Sequence, residues 1–167
     1  MRAKRLILSM VAMAAALMWT SCGKEDIELN DNELSYDGTV YQGESFAESD
    51  GFNYVQFELV SPTFTIEGML DWTSLNKTFD IAVHNPGAHY YVSGFTENLF
   101  NFGYDNWEEG VHGGLDGTEY EDSSVFSEGT MKTTFNGTTF TMSLDGTLKN
   151  GKKIAYKIRV DEVSIIE

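Results

Sequence analysis

The sequence predicts an all-β fold: an antiparallel β-sandwich or flattened barrel of about eight to ten strands around one core, with a lipocalin-like closed barrel as the alternative. Three observations carry this. From residue 35 onward apolar side chains recur with period two, β-branched and aromatic residues fill the runs between Gly, Asn and Asp clusters, and helix start and stop signals are nearly absent. The composition agrees: 41% of the 167 residues are hydrophobic, 22% are charged, and Gly 16 stands against Pro 2. That excludes a disordered, collagen-like or disulfide-stapled chain.

The first segment is an address. Met1 to Arg5 supplies three cations, and Leu6 to Trp19 is a 14-residue apolar run broken only by Ser9, the pattern of a secretory leader. A membrane-spanning helix needs about 20 apolar residues, so this run is too short for a permanent anchor. The single Cys follows at once, in Trp19-Thr20-Ser21-Cys22. This resembles the lipobox of bacterial lipoproteins, which implies cleavage after residue 21 and a diacylglycerol on Cys22. Two or three acyl chains, at about 0.8 kcal/mol per buried CH₂, would make the attachment stable. The run Gly23-Lys24-Glu25-Asp26 resembles the acidic export signal of Bacteroidetes lipoproteins, with Lys24, Glu25 and Asp26 as its core. It implies display on the outer face of the outer membrane. Residues 1–21 are thus expected to be a signal peptide, 22–34 an acidic tether, and 35–167 a single β-domain.

The elements follow in order. Val55, Phe57 and Leu59 alternate with Gln56 and Glu58; Phe64 and Ile66 repeat the pattern, as do Phe79, Ile81 and Val83 against Thr78 and Asp80. Such alternation suits a sheet with one face in water. His89 to Phe95 comes next, then Leu99 to Tyr104, in which Phe100, Phe102 and Tyr104 share a side. Three long runs close the chain, Val125 to Phe135, Thr138 to Lys149 and Lys152 to Ile166, and read as a meander. Asn136-Gly137 and Asn150-Gly151 are expected to be type I′ turns, in which both central residues need positive φ. Asp145-Gly146 lies inside a run and predicts either a bulge or a turn.

Taken together, the segments 32–41, with Asp37-Gly38, and 128–154, from Glu128-Gly129-Thr130-Met131 to Gly151-Lys152-Lys153-Ile154, resemble a large all-β group of uncharacterised Bacteroidetes lipoproteins. The resemblance implies an opening hairpin and a closing meander. It implies no catalytic residue.

Charge narrows the partners. The formal net charge is −15, which argues against nucleic acid. Acidity is local: residues 22–122 hold 21 acidic and two basic side chains, whereas 123–167 hold five and six. The segment 105–122 mixes carboxylates with glycines and predicts a surface loop, with Asp105, Glu108, Glu109 and Asp116 as candidate Ca²⁺ ligands. Oxygen donors on a flexible loop suit that cation, although the spacing fits no EF-hand. Trp72 and Trp107, each beside carboxylates and amides between strand-like runs, are candidate ligand contacts, and Tyr104 is grouped with them. A flat apolar ring bordered by polar groups is what stacks on a sugar; the alternative is that these rings cap the core. His84, His89 and His112 offer at most a weak Zn²⁺ set. No GxSxG elbow is present, and pairs of acids are too common here to mark a glycosidase. The expected function is a non-catalytic surface lipoprotein that binds a glycan or another ligand. A structural subunit docking an envelope protein through a sheet edge is the alternative, and a small hydrolase trails both.

Overall fold

The computed structural model describes residues 28–107 and 109–166, and shows two packed sheets. Six strands build the smaller one: β1 (Glu33–Tyr36), β2 (Thr39–Gln42), β6 (Thr78–Asp80), β11 (Phe126–Phe135), β12 (Phe140–Leu148) and β13 (Lys153–Val160). Their order is β2-β1-β13-β12-β11-β6. Eight build the larger: β3 (Glu44–Ser49), β4 (Tyr54–Val60), β5 (Thr65–Asp71), β7 (Tyr90–Phe95), β8 (Asn101–Trp107), β9 (Gly110–Leu115), β10 (Thr118–Tyr120) and β14 (Ser164–Ile165). Their order is β10-β9-β8-β7-β5-β4-β3-β14, and every pairing is antiparallel except β14 with β3.

The core follows from the alternation. Val55, Phe57 and Leu59 are all buried, as are Phe64, Ile66, Phe102, Phe140 and Ile158. Each such side chain contributes about 1.5–3 kcal/mol on burial. Rings from the two sheets meet between them: Phe57 stacks on Phe140 with centroids 5.7 Å apart, and Phe126 meets Tyr104 edge-on at 5.6 Å.

Both sheets end in open edges, so the closed-barrel alternative fails and the sandwich stands. Among the described residues fourteen strands replace the expected eight to ten, because the outermost strands β2, β6, β10 and β14 have only two to four residues and carry no readable period. The first strand begins at Glu33, inside the segment expected to be tether, with Leu34 fully buried. Cys22, Lys24, Glu25 and Asp26 lie outside the described residues.

Turn chemistry differs from expectation. Positive φ at both central residues occurs at Asp37-Gly38 and Asp116-Gly117, whereas at Asn136-Gly137 and Asn150-Gly151 only the glycine is positive. The last two connections are longer than two residues, and each Asn acts through its side chain: Asn136 Oδ1 accepts from the backbone N–H of Thr138 and Thr139. Asp145-Gly146 is uninterrupted strand, and the register shift lies on the partner, between Phe126 and Glu128. Val83 is exposed, because β6 ends at Asp80.

Candidate functional site

The segment 105–122 is largely not a loop. It is the end of β8 followed by β9 and β10: Asp105 and Glu119 lie on strands, and Glu109, Asp116, Glu121 and Asp122 lie in the turns beside them. Asp116 sits in the β9–β10 turn, where Oδ1 accepts from Asn101 N (3.0 Å) and Oδ2 from Asn150 Nδ2 (3.1 Å). Asp105 lies on β8, Glu109 is exposed beyond it, and Glu108 lies outside the described residues. Among the described residues no group of three or more His, Cys, Asp or Glu side chains could hold a metal ion, so the calcium set finds no coordination sphere there.

The three aromatic candidates do not converge. Tyr104 is 1% exposed and shares a hydrogen bond with the Tyr90 hydroxyl at 3.1 Å. It belongs to the core, because the alternation that buries Phe102 buries Tyr104 as well. Trp72 opens a short 3₁₀ turn, Trp72–Ser74, and rests on Phe135 of the opposite sheet at 5.6 Å. Trp107, 41% exposed, points from the outer face of the larger sheet.

On that face the strand registers set side chains in rows. Asp71, His89 and Trp107 form one row; Met69, Tyr91, Asp105 and His112 form the next. The Trp107 ring lies 5.4 Å from the His89 ring, at 32°. His89 is itself fixed: Nδ1 bonds Asp71 Oδ2 at 3.1 Å, and its backbone N–H donates to Ser74 Oγ at 2.9 Å. Asp71 Oδ1 accepts from Thr73 N and so caps the 3₁₀ turn that carries Ser74. Ser74, fully buried, returns its hydroxyl to the His89 carbonyl, so this Asp-His-Ser group is built as a brace.

A buried amide braces the other side. Asn106 is 0% exposed; Nδ2 donates to the carbonyls of Asn85 and Ala88, and Oδ1 accepts from Asn85 N. This ties the turn before β7 to the end of β8. His84 Nε2 donates to the Trp107 carbonyl at 2.8 Å. These bonds fix the backbone that carries Trp107, and the His89 ring beside the indole reduces the rotamer freedom it has to lose when it meets a ligand.

Beside it lies a shallow depression of about 450 Å³, lined by His89, Asp105, Trp107, Glu109 and His112. Asp105 Oδ1 is buried there without a hydrogen-bond partner among the described residues. Burial holds the Asp105 carboxyl above the usual range, and His112 across the strand pair partly offsets it. Asp105 also borders a second depression, over Gly103, Gly114 and Tyr91. No side chain rises from Gly103, above which there is nothing within 4 Å. Tyr91 is held by its hydroxyl, which donates to Glu67 Oε1 at 2.9 Å.

An aromatic plate with carboxylate and imidazole groups at its border can stack on an apolar ring face and accept hydrogen bonds from hydroxyls. Sequence reasoning missed Tyr91 and Gly103. The signal for Tyr91 was its neighbour: in a strand, two consecutive tyrosines face opposite sides.

No protein-family model, curated protein or solved structure matches the chain.

Proposed function

We propose that this chain is a non-catalytic binding protein, held by a lipid on Cys22 at the outer membrane and facing the cell exterior, that takes a glycan on the outer face of its larger sheet. The observation that carries the reading is the pre-set Trp107 ring beside the unpartnered Asp105 oxygen. A buried acceptor of this kind gains from a donor, and a sugar hydroxyl supplies one. The seated ring supplies the apolar contact.

Edge docking is favoured less. The four outermost strands have two to four residues, which leaves little backbone for another chain to pair with.

The test is a glycan array probed with the mature chain and with Trp107→Ala. The wild type should bind at least one glycan, and the variant should lose about tenfold or more while remaining folded, since the indole lies on the outer face and not in the core. Absence of wild-type binding to every glycan would sink the proposal. The anchor is tested separately by mass spectrometry of the mature N-terminal peptide, where a diacylglyceryl Cys22 is expected and an unmodified thiol refutes it.

A further inference from the structure

The outer face of the larger sheet carries more than the Trp107 depression. A third groove, of about 580 Å³, crosses β3, β4 and β5 and is lined by Phe46, Gln56, Glu58, Glu67 and Tyr91. Tyr91 also lines the glycine-floored depression, and Asp105 joins that one to the depression beside Trp107. The three hollows are therefore neighbours along one face, with Tyr91 and Asp105 at their shared borders, and together form a trough.

Its aromatic groups fall on a diagonal. Phe46 pairs with Glu58, Glu58 with Glu67, Glu67 with Ser93, and Ser93 with Gly103. This places Phe46 level with Gly103, four strands away and four residues short of Trp107. At about 4.8 Å per strand and about 3.3 Å per residue, Phe46 and Trp107 are about 23 Å apart. Tyr91, on β7 and two residues up the sheet, stands close to the line between them. Phe46 is 56% exposed, an unusual position for a phenylalanine on a strand flanked by carboxylates.

Charge gives the second observation. The strands of the larger sheet contain seven Asp or Glu and no Lys or Arg. Glu58 and Glu67 sit directly opposite one another, an arrangement that costs stability in a sheet. An anionic ligand entering the trough would meet only like charge.

From this we infer that Phe46 forms a distal subsite and that the trough binds an extended glycan chain, neutral or amino-bearing and free of carboxylate and sulfate, lying obliquely across the strands. The inference rests on the glycan-binding reading above and adds its length, direction and charge class. A disaccharide at Trp107 falls short of Phe46, whereas a chain of roughly five units touches Trp107, Tyr91 and Phe46 in turn. Contacts along one chain act as linked sites, so affinity rises with length once the second platform is reached.

The experiment measures binding of the mature wild-type chain, Phe46→Ala and Trp107→Ala to β-1,4-linked oligomers of glucose, mannose, xylose and N-acetylglucosamine, from dimers to hexamers, with galacturonate oligomers alongside. For the series that binds, the wild type should hold the hexamer about tenfold or more tighter than the dimer. Phe46→Ala should reduce hexamer affinity to that of the dimer and leave dimer binding unchanged, while Trp107→Ala should weaken both. Equal affinity for dimer and hexamer, an unaltered length dependence in Phe46→Ala, or a preference for galacturonate would overturn the inference and leave the glycan-binding reading in place. Binding to none of these oligomers and to no glycan of the array would remove that reading and the inference with it.

Discussion

At the scale of single residues, the site turns on which side of a strand each side chain takes. Phe100, Phe102 and Tyr104 already alternate in the sequence, and that pattern was the better guide to Tyr104 than its nearness to Trp107; it is core. Trp72 was legible as a loop residue, but its contact with Phe135 joins positions far apart in the chain and has no local signal. Asp105 carries a pH prediction. Burial raises its carboxyl in the folded chain, so the folded state keeps the proton to higher pH than the unfolded state does. The stability this group contributes is complete below the unfolded carboxylate range and is lost as pH rises through the folded value. Asp105→Asn, which stays neutral, should therefore raise the melting temperature at neutral pH and lose that advantage in acid. Calorimetry across the carboxylate range checks the sign, and an equal gain at both ends would contradict it.

At the scale of elements, glycine separates the two faces of the larger sheet. Gly94 on β7 points inward: a Cβ there would overlap the Phe102 ring and stand 2.8 Å from Ile66 Cδ1. Gly94→Ala should cost about 1–3 kcal/mol in denaturant melts, as an overpacked core does. Gly103, on the neighbouring strand, faces open space, so Gly103→Ala should leave stability within about 0.5 kcal/mol. Similar losses in the two variants would refute this division of faces. The long runs β4, β11, β12 and β13 were readable because each buries alternate side chains on one side. The β9 strand was not. Half of its sequence Gly-Val-His-Gly-Gly-Leu is glycine, with Val111 as its one β-branched residue, and it is ordered by pairing with β8, where Gly113 leaves room for the Gly103 carbonyl.

At the scale of the whole molecule, sheet membership was the least readable property. The sequence pattern announces strands, but the pairing of β6 with β11 and of β14 with β3 is decided by contacts across the chain. The second of these has a structural role. The last described residues leave the smaller sheet, bond Thr138 through Val163 N, and run parallel to β3, with Ile166 N donating to Ser49 O. They cover the last two residues of β3, Glu48 and Ser49, which would otherwise extend its free edge. Deleting residues 161–167 should leave a folded chain that self-associates, seen as a concentration-dependent shift in sedimentation. A monomer at all concentrations would contradict this.

The uneven charge of the two sheets has a mechanical consequence. The smaller sheet's strands carry Lys and Arg as often as Asp and Glu, while the larger sheet's carry none. The domain is therefore an electric dipole, and any negatively charged surface that holds it by a leash exerts a torque on it. If the chain is anchored as proposed above, the torque would turn the balanced sheet inward and the Trp107 face toward the medium. Salt weakens it, since at 0.1 M ionic strength such fields fade over about 10 Å, and orientation would loosen as the surroundings become more saline.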